Sequence, residues 1–588
     1  MIYVISINRE GVLRVIANGY IRKDKSPEDT INLIKEILKE NNIETEIACW
    51  HKNENIFSCR LVIKGTNIGT NGKGISEKCA LASAYAEFME RLQTGYLFGK
   101  SYSGTSHSKQ HQIALDVESA LSELQNLFPS SKNDSDDKYI KELLSKVEYY
   151  EDYINYHELT EDKYCNLPNE LINYMCGSNG LCAGNTFYEA VNQGICENFE
   201  RLVLKDVMCF KSDYPTIPDT FYRNMLSYKL IQVFDEKGYS VVVKDCTLGG
   251  KYPVVGILVV EKKKRKMKFS IGSDVNFDIA LQRCLTEVIQ GYNIDDIFEN
   301  DMLDVYHATE TNIAFEFSEE KLEWEHHKAV TKGTGIIPEK FYLSKSEFNE
   351  EFIKSAFNNE AITNKTAYIH LINLARNENF KIYVKDYSFL GFPTYRTFLT
   401  NDSRIIIKIE NQLKYVLALK TLNQYNFDNF DVKTFADVLH MYNISCYYEN
   451  AYKIEKIISL RKRIWFCNDT RMLEVICELI DCNYSKALAL YVKFFKKNKC
   501  ETFEHEVMYI KSLANDCTYE YKNWLKSIND EQGLRILDRF DKVLRIARTQ
   551  LKKEKIIRDF ISDKKSNTDI MLGEMRVRMN EFIHRDYI

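Results

Sequence analysis

The spacing of apolar residues changes in character about two thirds of the way along the chain. In the first 400 residues, short apolar runs typical of strands alternate with stretches of helical spacing; the clearest runs are residues 57–63, 239–243, 254–260 and 381–384. After Pro393, the last proline, helical spacing dominates and short polar turns separate the helices, as around residues 484–497 and 534–560. The pattern predicts an α+β region, residues 1–404, followed by an all-α region of helical hairpins, residues 405–588, with the boundary in the loop at residues 400–404.

The first long helix has a recognisable start. Ser26 can accept a hydrogen bond from the first turn, Pro27 suits the first helical position, and Glu28 and Asp29 interact favourably with the helix dipole. The apolar stripe that follows consists of Ile31, Ile34, Ile37 and Leu38. We therefore expect a helix that begins at Pro27 and buries one face.

Composition narrows the class of protein. The 588 residues are 45% hydrophobic and 28% charged, with a net charge of −5, which is typical of a globular protein and excludes a strongly basic nucleic-acid coat. No apolar run approaches the roughly 18 to 20 residues that span a bilayer, and the N-terminus lacks the pattern of a secretory signal. We expect a cytoplasmic protein with no nucleic-acid or membrane partner. Since the sixteen cysteines include no Cys-x-x-Cys pair, we expect reduced core residues rather than zinc ligands or disulfides.

Polar stripes on three predicted helices mark the candidate chemistry. The first helix, over about residues 76–93, follows Asn71-Gly72-Lys73-Gly74. The polar residues on one of its faces are Ser83, Glu87, Glu90 and Arg91. The second helix ends near residue 205, and the stripe at its helical spacing is Asn185, Glu189, Gln193, Glu197, Glu200 and Arg201. The third, over about residues 280–291, carries Arg283, Glu287 and Gln290.

The first two stripes share the pattern E-x-x-E-R-L, at residues 87–92 and 197–202, and Asn-Gly occurs upstream of each. An internal duplication that packs the two helices face to face would gather four carboxylates: Glu87, Glu90, Glu197 and Glu200. Desolvation and like-charge repulsion would protonate some of them unless cations are present. Mg²⁺ prefers hard oxygen ligands and recruits phosphates, which Arg91 and Arg201 would contact.

The alternative is an ordinary solvated helix face, where Glu–Arg pairs at i,i+4 contribute only a few tenths of a kcal/mol. One such helix favours this alternative, whereas three, two of them sharing a pattern after glycine-rich turns, favour a Mg–nucleotide site. The Walker A motif is absent, because Asn67 stands at its first glycine position and Gly74 replaces Ser/Thr. Any nucleotide would bind by another route.

At these residues the sequence resembles the YcaO family. The segments that carry the resemblance are Gly72-Lys73-Gly74 with Ser83-x₃-Glu87-x₂-Glu90-Arg91, Gly184-Asn185-Thr186 with Glu189-x₃-Gln193-x₃-Glu197-x₂-Glu200-Arg201, and Arg283-x₃-Glu287-x₂-Gln290-Gly291. Further matches are Lys23-Asp24 with Glu28-Asp29-Thr30-Ile31, Leu248-Gly249-Gly250-Lys251-Tyr252-Pro253, and Asp386-Tyr387 before Leu390-Gly391. The resemblance covers most of the chain and is closest to the stand-alone bacterial members, whose helical C-terminal region is tetratricopeptide-like.

The resemblance implies a role for each site residue. The metal-ligand candidates are Glu87, Glu90, Glu197, Glu200 and Glu287. The nucleotide-contact candidates are Lys23, Thr30, Ser83, Asn185, Glu189 and Gln193. The phosphate-binding candidates are Arg91, Arg201, Arg283 and Gln290. The implied catalytic set is Glu87, Glu90, Arg91, Glu197, Glu200 and Arg201, and the implied cofactors are ATP and Mg²⁺.

The implied activity is ATP-dependent activation, by O-phosphorylation, of a peptide or protein backbone amide. A Cys, Ser or Thr nucleophile then gives an azoline heterocycle, sulfide a thioamide, and an amine an amidine. Such enzymes act in the biosynthesis of ribosomally made peptides, as cyclodehydratases among other roles, and a sulfur-donor or leader-binding protein can be a partner. A homodimer is expected by resemblance only.

Two departures disfavour azoline formation. The chain ends at residues 582–588 without the proline-rich tail of many azoline-forming members, and it carries no fused leader-binding domain. Both resemble the stand-alone group, for which methylthiolation of a ribosomal protein has been proposed. The alternative function is therefore an ATP-binding accessory protein whose helical region docks a modification enzyme.

Overall fold

The computed structural model describes much of the chain, in segments separated by gaps. The described residues are 3–7, 13–17, 23–98, 112–114, 127, 150–208, 212–261, 266–298, 303–306, 335–338, 341, 343–344, 346–360, 363–400, 418–419, 421–422, 431–445, 469–496 and 503–552. The chain divides into two compact units; residues 1–111, 152–407 and 565–588 form the first, and residues 112–151 and 408–564 form the second. Residues 401–404 of the expected boundary loop and the tail at 582–588 lie outside the described residues, so the division at residue 404 stays a prediction.

The first unit opens with a strand pair and a helix-covered sheet. Strands β1 (Tyr3–Ile7) and β2 (Leu13–Ala17) are antiparallel. Helix α1 (Pro27–Glu40) starts as predicted, because the Ser26 hydroxyl accepts a hydrogen bond from the Asp29 N–H at 3.1 Å. An antiparallel sheet follows in the order β3 (Thr45–Asn53), β4 (Ile56–Ile63) and β5 (Gly69–Gly74). Helix α2 (Glu77–Gln93) packs on α1, β4 and β5.

Strand β5 lies so close to α2 at residues 72 and 74 that only glycine fits there. A Cβ atom on Gly72 would stand 2.1 Å from the Ala80 carbonyl oxygen and 2.4 Å from the Ala84 nitrogen. Gly74 is confined in the same way by Cys79 and Ala80. Since successive strand residues point to opposite faces, Lys73 belongs to the other face of β5.

The chain then continues through two further sheets and their helices. In chain order the elements are β6 (Gln112–Ala114), β7 (Tyr150–Glu158), β8 (Lys163–Pro168), α3 (Asn169–Cys176), β9 (Leu181–Ala183), α4 (Phe187–Met208), α5 (Asp219–Tyr222), α6 (Leu226–Glu236), β10 (Tyr239–Asp245), β11 (Val254–Glu261), β12 (Lys266–Ser273), α7 (Phe277–Glu287), β13 (Leu303–Tyr306), β14 (Gly335–Pro338), α8 (Glu350–Ala356), α9 (Asn364–Asn377), β15 (Ile382–Asp386) and β16 (Thr394–Leu399). The four strand runs predicted from apolar spacing correspond to β4, β10, β11 and β15 and are confirmed.

The second sheet has the order β10-β11-β12-β13-β14, antiparallel except for the parallel pair β13–β14. Its β11 is a continuous apolar run covered by α7, and the buried Val255, Ile257, Phe277 and Leu281 belong to their shared core. In the third sheet the strands β7, β15, β16 and β9 are neighbours in that order, and β8 pairs with β7. Helix α4 covers β9 and β16.

The three helices predicted to carry polar stripes each contact two sheets. Helix α2 packs on β4 and β5 of the first sheet and on β9 and β16 of the third. Helix α4 packs on β9 and β16 of the third sheet and on β11 and β12 of the second. Helix α7 packs on β11 and β12 of the second sheet and on β5 of the first. The helices thus link the three sheets in a closed cycle, which places their polar faces at a common junction.

The described elements between residues 408 and 564 are all helical, as predicted. They are α10 (Val432–Ser445), α11 (Thr470–Ile480), α12 (Tyr484–Phe495), α13 (Phe503–Ala514), α14 (Thr518–Ser527) and α15 (Glu531–Lys552). Consecutive helices from α10 to α15 pack on one another, and α15 also contacts α11 and α13. This is the hairpin packing expected from the short polar turns.

The described residues also show the hydropathy of the helices and the environment of the cysteines. None of their helices is long and apolar enough to cross a membrane. The twelve cysteines in the described segments are free, and most of them are buried or partly buried. They behave as the small core residues expected from their spacing.

Candidate functional site

The candidate site begins with the capped starts of α2, α4 and α7. The Ser76 hydroxyl accepts a hydrogen bond from the Cys79 N–H at 3.2 Å at the start of α2, and Asn276 caps α7 in the same way. At the start of α4, Thr186 Oγ1 accepts a hydrogen bond from the Glu189 N–H at 3.2 Å. Each cap fixes where helical spacing begins, and so which residues share the polar face.

On α2 one arginine lies against two glutamates. Arg91 Nη2 is 3.6 Å from Glu87 Oε1, and Arg91 Nε is 3.4 Å from Glu90 Oε1. Burial raises the pKa of Glu90 to about 8 although Arg91 opposes the shift, and burial also raises the pKa of Glu87. These distances leave the carboxylates loosely held, because charge-assisted hydrogen bonds are ordinarily 2.7 to 2.9 Å.

Helix α4 repeats this arrangement, as the shared E-x-x-E-R-L pattern predicts. Arg201 Nη2 is 3.4 Å from Glu197 Oε1, and Arg201 Nη1 is 3.7 Å from Glu200 Oε1. Burial raises the pKa of Glu200, against the opposing effect of Arg201 and Arg283. The buried Arg201 Nε finds no hydrogen-bond acceptor among the described residues. A donor of this kind fits an anionic ligand.

The carboxylates of the two helices are close enough to affect one another. The charge of Glu197 helps to raise the pKa values of both Glu87 and Glu90, after the larger effect of burial. The structure therefore brings the four acids of the duplicated motif into one neighbourhood, on the helices where the sequence placed them.

Lys73 supplies a further cation from strand β5. Its ammonium forms an ion pair with the carboxylate of Glu287 at the end of α7. Burial, with the repulsion of Arg283, lowers the pKa of Lys73 to about 8, while Glu200 and Glu87 oppose that shift. The Gly72-Lys73-Gly74 motif does not by itself assign a role to Lys73, although its position between two glycines was an available signal.

A second cluster centres on Glu189, which is buried. Asn185 Nδ2 donates to both of its carboxylate oxygens at 3.2 Å, the Asp24 N–H donates at 2.9 Å, and Lys23 Nζ lies at 3.1 Å. Thr30 Oγ1 in turn donates to Asn185 Oδ1 at 3.0 Å. Four of the six nucleotide-contact candidates, drawn from two distant segments of the chain, are thus in one polar group.

The remaining candidates differ in their placement. Ser83 and Gln193 are half-buried on α2 and α4. The predicted third stripe is wrong at its end, because α7 stops at Glu287 and Gln290 lies in the following turn. There the Gln290 N–H donates to the Glu287 carbonyl at 3.0 Å, and Gly291 has a φ of 86°. Helical hydrogen bonding ends at the C-cap residue Val288, and the positive φ of Gly291 keeps the helix from resuming.

The donor set fits a nucleotide with Mg²⁺ in its chemistry. Within the described segments, no three His, Cys, Asp or Glu side chains converge as a ready metal cage. Mg²⁺ does not require one, since it keeps several waters and binds through one or two carboxylates and the phosphates of its ligand. A divalent cation would also relieve the buried carboxylates whose pKa values are raised. The residues that would hold it are Glu87, Glu90, Glu197, Glu200 and Glu287; this assignment stays a prediction.

One buried arginine that the sequence did not reveal joins the two halves of the site. Arg396 on β16 donates to the Gly177 carbonyl at 2.9 Å, to the Asn179 carbonyl at 3.4 Å and to the Tyr96 hydroxyl at 3.2 Å. The Arg91 guanidinium lies over the Tyr96 ring at 6.0 Å from its centre. Arg396 therefore ties the segment after α2 to the turn that precedes β9 and α4.

The chain is similar to proteins of one known family. The family model described as YcaO cyclodehydratase, ATP- and Mg²⁺-binding, matches residues 71–400, which is more than half of the chain. A protein of Haemophilus influenzae is 28% identical over 407 residues, and the Escherichia coli protein named ribosomal protein S12 methylthiotransferase accessory factor YcaO is 27% identical over 407 residues. Each match covers 65% of this chain and 66% of the relative, so the chain spans slightly under two thirds of their length.

Two solved structures are also similar. The structure of YcaO from Methanopyrus kandleri bound with AMPPCP and Mg²⁺ is 16% identical, with a TM-score of 0.39 over 66% of this chain and 94% of that one. A heterocyclase in complex with substrate and cofactor is 17% identical, with a TM-score of 0.45 over 66% of this chain and 55% of that one. The family match over residues 71–400 contains both E-x-x-E-R-L helices and α7. The chain belongs to the YcaO family.

Proposed function

We propose that this chain binds ATP with Mg²⁺ between α2, α4 and α7 and uses it to activate a backbone amide of a peptide or protein. The observation that carries the proposal is the repeated group of one arginine with two loosely held glutamates, at Arg91 and at Arg201. Burial of these carboxylates disfavours their charge, so the site gains most from a ligand that brings a divalent cation and phosphates together.

ATP supplies the γ-phosphoryl group that makes the amide oxygen a good leaving group. In the balanced reaction that oxygen bonds to the γ-phosphorus as the bond to ADP breaks, the nucleophile bonds to the amide carbon, and phosphate leaves with the oxygen. Two protons are lost, one from the nucleophile and one from the amide nitrogen, or both from hydrogen sulfide when the product is a thioamide. Arg91, Arg201, Arg283 and Gln290 would hold the phosphates and neutralise their charge, and the Glu189 cluster would orient the nucleotide. The product is a heterocycle, a thioamide or an amidine, according to the nucleophile.

The test is turnover by the full chain. ADP and phosphate release is measured with Mg²⁺, without and with candidate peptides, and the peptides are analysed by mass spectrometry for loss of water or exchange of oxygen for sulfur. Peptide-dependent phosphate release with a modified amide supports the proposal. Absence of ATP binding in the presence of Mg²⁺ would overturn it.

An accessory role is the second candidate. It is favoured by the name of the Escherichia coli relative and by apolar side chains that α14 and its end expose, namely Tyr519, Trp524 and Ile528. In this case ATP binding regulates assembly with a modification enzyme, and the helical unit docks the partner. ATP binding without turnover, together with nucleotide-dependent assembly, distinguishes this role from catalysis. Sedimentation with and without nucleotide tests the expected homodimer.

A further inference from the structure

Lys73 differs in its position from Arg91 and Arg201, the arginines of the duplicated motif. Arg91 and Arg201 each lie one and four residues from the glutamates that they contact, so they share a helix with them. Lys73 instead reaches Glu287 from β5, and the two meet only because α7 packs on that strand. The Lys73 side chain is about one quarter exposed and the Glu287 side chain about half exposed, so the pair lies at the open side of the junction.

The fold leaves Lys73 little freedom to lie elsewhere. Gly72 and Gly74 press β5 against α2, which fixes the strand and directs the residue between them to the opposite face. On that face the charges of Glu87, Glu200, Arg201 and Arg283 all act on its ammonium. Lys73 thus completes a group of cations that compensates the carboxylates.

A divalent cation at Glu287 would have to separate this pair. An ammonium in contact with the carboxylate occupies the ligand oxygens, and it repels a second cation at the same place. Arg91 and Arg201 impose no comparable obstacle at Glu287, because each contacts glutamates of its own helix.

We propose that Lys73 is the counter-ion of Glu287 in the metal-free chain and competes with the metal for that carboxylate. Metal binding would then displace the Lys73 ammonium from Glu287. The inference rests on the proposed function in taking Glu287 as a metal ligand. In this inference, Lys73 lowers the affinity of the site for a divalent cation when no nucleotide is bound. Metal and nucleotide would then bind together rather than separately.

The test uses Mn²⁺ alone as the probe, on the nucleotide-free full chain, with free Mn²⁺ followed by electron paramagnetic resonance. Lys73→Met removes the competing charge and is expected to bind Mn²⁺ at least about fivefold more tightly than the unaltered chain. Lys73→Arg keeps the charge and is expected to stay within about twofold of it. The matched control is Lys64→Met, which breaks the exposed pair between Lys64 and Glu44 beside the same sheet and should also stay within about twofold.

The Glu287→Gln exchange identifies the carboxylate involved. In that background, Lys73→Met is expected to give no gain in Mn²⁺ affinity. Equal or weaker Mn²⁺ binding by a cooperatively melting Lys73→Met variant would overturn the inference, and Lys73→Gln serves in its place if the methionine variant misfolds. Binding of AMPPCP with Mg²⁺ to the unaltered chain is measured in parallel; its absence would refute the proposed function, whereas the Mn²⁺ comparison decides the role of Lys73 by itself.

Discussion

The buried glutamates of the helical unit and those of the Glu–Glu–Arg groups on α2 and α4 differ in the partners of their carboxylates. In the helical unit, Glu474 is fully buried and accepts hydrogen bonds from Asn443 at 2.8 Å and, with His440 Nδ1 as donor, at 2.6 Å. Its neighbour Glu478 is held by Lys486 at 2.7 Å and by Asn483 at 3.0 Å. In the first unit, the described polar contacts of Glu90 and Glu200 are to arginine alone, at 3.4 and 3.7 Å.

The difference separates carboxylates that stabilise the fold from carboxylates that we propose as metal ligands. A buried carboxylate with short, complete hydrogen bonds has recovered what it lost on leaving water, so it stabilises the packing around it. One whose partners lie beyond 3.3 Å has not, and the raised pKa values of Glu87, Glu90 and Glu200 record that cost. Stored destabilisation of this kind is typical of functional sites.

The strongest contrast comes from the same exchange in each unit. Glu200→Gln keeps the side-chain volume and removes a negative charge from the proposed Mg²⁺ site. We expect Mg²⁺-dependent ATP hydrolysis to fall about 10³-fold, roughly 4 kcal/mol of barrier, with no loss of melting temperature. Release of ADP measures the effect. Normal turnover in this variant would refute the metal-site assignment.

Glu474→Gln should do the reverse. It places an amide donor against Asn443 and His440, which already donate, so buried polar groups lose their partner. We expect the free energy of unfolding to fall by about 3 kcal/mol in urea titrations. Binding of AMPPCP should change less than about twofold in the folded variant. A cost below about 1 kcal/mol would show that Glu474 is not held as its geometry indicates.

The pH dependence of stability sharpens the comparison, because Glu90 has an unfavourable charge. Its pKa in the folded chain is about 8 against an ordinary 4.5, so between these values the unfolded state releases a proton that the folded state keeps. The contribution of Glu90 is therefore present below pH 4.5 and lost as pH rises to about 8. Lys73 has the opposite sign, since its pKa is lowered from 10.5 to about 8; its contribution is present above 10.5 and lost as pH falls toward 8.

From the contributions of Glu90 and Lys73 alone, the free energy of unfolding of the metal-free chain should be lowest near pH 8. Glu90→Gln is expected to raise the free energy of unfolding at pH 8 by about 2 kcal/mol and to flatten the slope between pH 5 and 8. This is less than the full linkage value, because the Arg91 contact is also lost. Urea titrations at several pH values measure it. An unchanged slope would contradict the raised pKa of Glu90.

The smallest expected effect concerns the link made by Arg396. Tyr96→Phe keeps the ring beneath Arg91 but removes the hydroxyl that accepts from Arg396 and donates to the Gly177 carbonyl. We expect a loss of about 1 kcal/mol in stability and a two- to threefold weaker affinity for AMPPCP with Mg²⁺. The control is Tyr521→Phe in the helical unit, whose hydroxyl is 3.4 Å from His505 Nδ1 and whose removal should cost under about 0.5 kcal/mol. Equal losses of stability in the two variants would contradict a positioning role for Arg396.

Much of the site could be predicted because the residues that start each helix and share its polar face are near one another in the sequence. The caps at Ser26 and Ser76 are readable from residue type, and helical spacing correctly assigned Glu87, Glu90 and Arg91 to one face. The same reasoning overextended the third stripe, because α7 ends at Glu287 and Gln290 lies in the turn that leads to Gly291, whose φ is 86°. A glycine in a helical pattern does not by itself reveal which conformation it will take.

The sequence alone determined the α+β and all-α succession, the duplicated E-x-x-E-R-L helices and the residue types at the site. Helical and strand periods depend on neighbours a few residues away, so they can be predicted from the sequence itself. Tertiary structure decided which elements meet: the pairing of Lys73 with Glu287, the cluster around Glu189 and the buried link through Arg396. It also decided the raised pKa values, since desolvation and Coulomb interactions depend on distances between elements that spacing along the chain does not contain.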